Sequence, residues 1–173
     1  MDLENINNVF KERLLLFLEH LAKNNLEVED EILYVSPLDQ AIIWRQGQLD
    51  GVIDGKIQEL EDLDCKYLSH LLREARSAPG EFLSNSLPGC SWHNWGEAMT
   101  FNLYSNGSMV LPNEAMNDLL NKIAKKVKLH LVVEPKEYAV YYGIYLSENN
   151  SPLDQYTWQE IDKHVRETNY VVH

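Results

Sequence analysis

The order of helical and strand patterns along the chain limits the folds that it can adopt. Residues 3–24 place apolar side chains at three- and four-residue steps, which predicts an amphipathic helix. A second helix is predicted from Ser36 to Gly47, because Ser36 is a good helix cap, Pro37 suits the first turn and Asp39 lies near the positive end of the dipole. Further helices are predicted over residues 56–63, 66–75, 113–127 and 158–168, and a loop over residues 48–55.

Strand patterns dominate the second half of the chain. The sequence Ser-Asn-Gly-Ser at residues 105–108 is a hairpin turn signal between two apolar runs. Strands are predicted over residues 31–35, 98–104, 109–111, 129–133 and 139–146. Helices first, followed by strands mixed with a helix, predict one α+β domain over residues 1–173, with a small antiparallel sheet packed with helices. Within it, residues 1–25 form an N-terminal helix and residues 26–168 the core.

The charge of the chain opposes binding to polyanions. Its 173 residues include 27 Asp and Glu against 15 Lys and Arg, a net charge of −12. The field of such a protein repels nucleic acid and anionic surfaces, so neither is a predicted partner. The lysines at positions 122, 125, 126 and 128 are interpreted as a solvated helix face. The apolar run at residues 14–18 is too short to span a membrane.

The N-terminus and the cysteines bear on the compartment. Asp2 and Glu4 make the first residues acidic, unlike a secretion signal, so we expect a cytoplasmic protein or one exported without a cleavable signal peptide. Cys65 and Cys90 lack the spacing of a redox motif and are interpreted as free thiols in a reducing compartment. A single disulfide between them is the open alternative.

Three segments occur in an informative order. Residues 34–41 read Tyr-Val-Ser-Pro-Leu-Asp-Gln-Ala, and Trp-Arg-Gln-Gly follows at residues 44–47. Residues 87–98, called the signature segment below, read Leu-Pro-Gly-Cys-Ser-Trp-His-Asn-Trp-Gly-Glu-Ala, and residues 136–140 read Lys-Glu-Tyr-Ala-Val. Together these segments resemble peptidase family M15, the zinc D-alanyl-D-alanine and L-alanyl-D-glutamate peptidases of the bacterial cell wall. The resemblance covers residues 26–166 and implies a fold like that of the Hedgehog amino-terminal domain.

The chain departs from that family where the family binds zinc. The resemblance implies three ligands, a His, an Asp and a final His, and they correspond to His93, Thr100 and Val140. Thr100 has a neutral hydroxyl and Val140 has no donor atom, while a shift of register puts Tyr141 or Tyr142 at the third position. The acid that activates water in the family corresponds to Glu137. Without a metal to lower the pKa of water from about 15.7 to about 7, such a base achieves little.

Aromatic and polar residues remain beside the lost ligands. Rigid aromatic side chains suit protein or peptide recognition, although alternate tyrosines on a strand also pack cores, and both interpretations stay open. The residues predicted to line a binding cleft are Gln40, Ser91, Trp92, His93, Trp95, Tyr141 and Tyr142.

The sequence therefore predicts a pseudoenzyme related to the zinc peptidases, in a bacterial or phage setting. It is expected to bind a protein or peptide partner and to need no cofactor. One alternative is an active peptidoglycan peptidase whose atypical zinc site joins His93 to distant ligands such as His130. Another is a structural subunit that associates through an apolar patch on its first helix. A fold does not by itself decide among these functions.

Overall fold

The computed structural model describes residues 3–76, 80–136 and 139–169, and only the backbone at residues 30, 134–136, 139, 140 and 169. The chain divides into two compact units, each made of two separate stretches. We call Met1–Tyr34 with Trp95–Glu148 the sheet unit, and Val35–Asn94 with Asn149–His173 the helical unit. The α+β class with a small antiparallel sheet is confirmed.

In the sheet unit, the described residues form two helices and five strands. Their bounds are α1 Asn8–Ala22, β1 Glu27–Ile32, β2 Ala98–Ser105, β3 Ser108–Met109, α5 Glu114–Lys126, β4 His130–Lys136 and β5 Ala139–Tyr145. The sheet order is β1-β2-β5-β4, every pair is antiparallel, and the short β3 pairs with β2 through the predicted hairpin. Asn106 and Gly107 both have positive φ angles in that turn, as its tight geometry requires.

One face of this sheet packs on α1 and α5. Phe101 of β2 stacks on Tyr142 of β5 with ring centroids 5.7 Å apart, and Phe17 of α1 meets Phe101 edge-on at 6.0 Å. The other buried side chains of this cluster include Phe10, Leu14, Leu21, Met99, Leu103, Leu120, Ile123, Ala124 and Ile144. Since α1 supplies four of the fully buried side chains, it is part of this core rather than an element outside it.

The helical unit contains four longer helices. Their bounds are α2 Pro37–Arg45, α3 Asp50–Asp62, α4 Lys66–Glu74 and α6 Trp158–Asn169. The predicted cap of α2 is confirmed, because Ser36 accepts a hydrogen bond from the Asp39 amide at 3.0 Å. Asp162 of α6 is buried and accepts from the Leu68 amide at 2.9 Å, so a side chain from the end of the chain caps α4.

Two sequence predictions were wrong. Residues 50–55 were predicted as loop but form the start of α3, because Ile53, Ile57 and Leu60 share a buried face. The paired Asp-Gly sequences lie away from that face, with open space around Gly51 and Gly55. The first strand begins at Glu27, whereas the sequence predicted a start at residue 31. Its position is set by pairing with β2, and apolar alternation along the sequence does not reveal that pairing.

Candidate functional site

The signature segment is anchored within the helical unit by Asn94. Its side chain is buried, donates to the Val35 carbonyl at 2.8 Å and accepts from the Gly89 amide at 3.0 Å. His93 continues this anchoring through its backbone, since its carbonyl accepts from the Val35 amide at 3.3 Å. The His93 amide also donates to the Ser91 hydroxyl at 3.3 Å, and both side chains are half-buried. Part of this segment therefore serves to fix the chain.

Two predicted binding residues of the helical unit are committed to internal contacts. Trp92 is only 2% exposed, donates from Nε1 to the Asn149 carbonyl at 2.7 Å and packs edge-on against Tyr156. Gln40 is 5% exposed and donates to the Ser86 carbonyl at 2.8 Å. Burial and internal hydrogen bonding correct their assignment to a binding surface, because neither side chain can meet a partner without rearrangement.

The remaining predicted residues of the sheet unit separate by face. Pairing places Thr100 of β2 opposite Gly143 of β5, and Phe101 opposite Tyr142. Thr100 therefore lies on the face away from α1 and α5, and alternation along β5 puts Tyr141 on that face too. Tyr142 lies on the other face, is 1% exposed and belongs to the core, which corrects its assignment to a binding cleft. Trp95 is half-buried just before β2.

The register also bears on the third zinc position. A ligand that shared the Thr100 face would have to come from position 141, 143 or 145 of β5, and Val140 is none of these. Tyr141, which the shifted register puts at the third position, therefore shares the face of Thr100. The side chain of Val140 and the whole of Glu137 lie outside the described residues.

The donors present do not fit a zinc site of the family type. Positions 100, 141, 143 and 145 offer a neutral hydroxyl, a phenol, no side chain and a second phenol, whereas zinc sites use imidazole, thiolate or carboxylate. Among residues 3–76, 80–136 and 139–169, no group of three or more His, Cys, Asp or Glu side chains is placed to hold a metal ion.

Gly96 and Glu97 close the signature segment against the N-terminal chain of the sheet unit. Gly96 has φ of +65°, and a Cβ there would lie 2.3 Å from the Asn5 carbonyl oxygen. Asn7 donates its amide to the Gly96 carbonyl at 3.0 Å and its side chain to Glu97 Oε1 at 2.9 Å. Sequence reasoning missed Glu97. The available signal was an acid between a glycine and a buried strand.

Burial raises the pKa of Glu97, and the hydrogen bond from Asn7 offsets part of that rise. At any pH between the unfolded pKa near 4.5 and the raised folded pKa, the carboxyl group of Glu97 is protonated in the folded protein and ionised in the unfolded chain. The free energy of unfolding that this group contributes is therefore lost as pH rises through the folded pKa. We therefore expect wild-type protein to lose stability relative to Glu97→Gln as pH rises above about 4.5 and through the raised folded pKa. Urea unfolding at three pH values measures this difference.

Glu160 provides a control of opposite sign. The Thr157 backbone amide donates to its carboxylate at 2.8 Å and lowers the pKa of Glu160. Wild-type protein should therefore gain stability relative to Glu160→Gln as pH rises from the lowered folded pKa to the unfolded value near 4.5, which is below the interval in which Glu97 acts. Equal pH profiles for wild type and Glu97→Gln would show that Glu97 is solvated in the folded protein.

The cysteines offer no ready nucleophile. Both are free and buried, and burial raises the pKa of Cys65 to about 11 and of Cys90 to about 12. The thiolate is the reactive form, so both thiols are weak nucleophiles at neutral pH. Cysteine catalysis therefore finds no support at either position.

Comparisons with known proteins leave the family open. No protein-family model, curated protein or solved structure matches this chain. Across the described ranges, no helix is long and apolar enough to cross a membrane. The resemblance to the zinc peptidases thus rests on the quoted segments, and both membership of that family and its fold are proposals.

Proposed function

We propose that this chain is a non-catalytic relative of the zinc D-alanyl-D-alanine and L-alanyl-D-glutamate peptidases that binds a protein or peptide partner. The observation that carries the proposal is one row of residues across the sheet. Ile32 of β1 lies opposite Thr100, Thr100 lies opposite Gly143, and Gly143 lies opposite Val132 of β4. This Thr100 row contains no zinc-binding side chain.

A tyrosine ring occupies the centre of the Thr100 row. A Cβ added at Gly143 would lie 2.7 Å from Cε2 of Tyr145, so the ring lies directly over the glycine. A metal-binding side chain at position 143 would collide with this ring. The Thr100 row therefore offers an aromatic surface in place of zinc-binding side chains, which supports a binding function over zinc-dependent hydrolysis.

The composition of the row suits recognition of a peptide or protein surface. Its two ends are apolar and accessible, with Ile32 50% and Val132 38% exposed. Tyr141 and Tyr145 are half-buried on the same face, and tyrosine contributes contact area at low entropic cost. Apolar side chains at both ends of the row, with tyrosine rings and hydroxyl groups between them, resemble the composition found at the centre of protein interfaces.

A binding comparison tests this proposal. Immobilised wild-type protein is exposed to lysate of the native host, the captured protein is identified, and its affinity is measured after purification. Tyr141→Ala and Val132→Glu should each weaken that affinity at least about fivefold, equivalent to about 1 kcal/mol. Tyr67→Ala alters a half-buried tyrosine in α4 of the helical unit and serves as the matched control.

Two outcomes would count against the proposal. Unchanged affinity in both Tyr141→Ala and Val132→Glu would show that the partner binds at a different surface. Elemental analysis tests the metal separately: we expect less than stoichiometric zinc in purified protein. One zinc per chain that is lost in His93→Ala would support the active peptidase with an atypical site.

The structural-subunit alternative stays a prediction. Val9, Leu15 and Leu16 of α1 are each about half exposed. Val9 and Leu16 are seven residues apart and lie on one side of the helix, whereas Leu15 points elsewhere. Apolar residues scattered singly are ordinary on protein surfaces, so α1 does not favour this alternative.

A further inference from the structure

A pocket of about 380 Å³ that is open to solvent, called the cavity below, lies within the helical unit among α2, α3 and α4. That volume falls in the range of small-molecule sites. Its walls combine two buried isoleucines with four polar or charged side chains. The lining residues are Ile53, Ile57, Arg45, Asp54, Gln58 and Arg73.

Arg45, the last residue of α2, is held in place by a hydrogen bond that leaves most of its N–H donors without an acceptor among the described residues. One guanidinium nitrogen, Nη1, donates to the Leu72 carbonyl near the end of α4. Its Nε is buried and has no acceptor among the described residues, although arginine carries five N–H donors. No carboxylate of those residues pairs with Arg45 within 4.0 Å.

Arg73 supplies the second guanidinium. It lies in the last turn of α4, and its Nη1 donates to the Glu61 carboxylate of α3 in an ion pair that offsets part of its positive charge. This contact fixes the head group while leaving further donors for a ligand. Two guanidinium groups that line one cavity and are each held by a single nitrogen favour an anionic group, which arginine binds through paired N–H donors.

Asp54 places the opposite charge in the same cavity. Within the described part of the chain, it forms no ion pair with a cation within 4.0 Å, including Arg45 and Arg73. Gln58 follows one turn later on α3 and is fixed by its hydrogen bond to Asp62 at 2.9 Å. The cavity thus holds cationic and anionic side chains apart, with the apolar surface of Ile53 and Ile57 beside them.

We propose that this cavity binds a small zwitterion of the α-amino-acid class. The ligand carboxylate faces Arg45 and Arg73, its ammonium group faces Asp54, and an aliphatic side chain contacts Ile53 and Ile57. A doubly charged phosphate would be repelled by Asp54, and a simple carboxylate would gain no contact from it, whereas an ammonium group would. This site is independent of the Thr100 row and of the partner proposed for it.

Isothermal titration calorimetry with L-leucine tests the site. Two related probes separate the charges: 4-methylpentanoate lacks the ammonium group, and 3-methylbutylamine lacks the carboxylate. We expect L-leucine to bind the wild-type protein at least about tenfold more tightly than either probe. Asp54→Asn should weaken L-leucine at least about fivefold and leave 4-methylpentanoate unchanged, whereas Arg73→Gln should weaken both.

Glu59→Gln is the matched control, because it removes one exposed acidic charge from α3 outside the cavity. It should leave L-leucine binding unchanged. Arg45 is not used as the test position, since it also holds α4 through the Leu72 carbonyl. Absence of heat with 10 mM L-leucine, tighter binding of inorganic phosphate, or equal binding by Asp54→Asn and wild type would each overturn the proposal.

Discussion

Replacing Tyr142 with alanine is expected to lower the free energy of unfolding by about 3–5 kcal/mol, the usual loss for a large buried ring. The ring is fully buried and stacks on Phe101, so its removal leaves a cavity between β2, β5 and the helices that cover them. Urea unfolding followed by circular dichroism measures the change. Any loss of partner binding in this variant would follow from lost folding.

Tyr142→Phe separates the ring from its hydroxyl. The hydroxyl is buried with no hydrogen-bond partner in the described ranges, and an unpaired buried polar group costs about 1–3 kcal/mol. Phenylalanine retains the ring without that cost, so Tyr142→Phe should be at least as stable as wild type. A large loss in Tyr142→Phe, or a negligible loss in Tyr142→Ala, would contradict the core position.

Gly96→Ala is expected to destabilise the protein by about 2–4 kcal/mol. A positive φ costs a non-glycine residue about 1–2 kcal/mol. In addition, the new methyl group would meet the Asn5 carbonyl at 2.3 Å, which is backbone and cannot rotate away. Moving that segment disturbs Asn7, which caps α1, and loss of a cap costs about 0.5–2 kcal/mol.

Gly107→Ala is the matched control for the Gly96 substitution. Gly107 has φ of +73°, close to that of Gly96, but a Cβ there meets nothing within 4 Å. This variant should lose only about 1–2 kcal/mol, the cost of the left-handed conformation alone. Equal losses in the two variants, measured by thermal unfolding, would show that the N-terminal segment does not press on Gly96.

Local chemistry explains which parts of the fold could be predicted. Ser36 before proline predicts a helix cap, and Asn106 before glycine predicts a tight turn. Each signal lies within a few residues of the chain, and both predictions are confirmed. By contrast, β1 consists mainly of acidic residues, and only its pairing with β2 defines it. Pairing with a strand that is distant in sequence produces no two-residue alternation of apolar side chains within β1, so the start of β1 could not be predicted.

The site residues were harder to predict, for two physical reasons. Tyr141 and Tyr142 are adjacent and chemically identical, so only the pairing of β5 with β2 decides which one faces the core. Residues of the cavity in the helical unit come from three helices, and no spacing in the sequence brings Arg45, Asp54 and Arg73 together. In contrast, the lack of a zinc-binding group at position 100 follows directly from the sequence, because it depends only on the identity of the side chain, a threonine.

The interleaving of the two units along the chain separates what each one needs in order to fold. The sheet unit ends at Glu148, so its strands and helices all lie before α6 in the sequence. The helical unit begins at Val35 but waits for α6, which supplies Ile161, Val165 and the Asp162 cap of α4. Without α6 in place, Leu68 and the Gly89 turn lack their covering residues, so a folding intermediate without α6 would expose apolar surface.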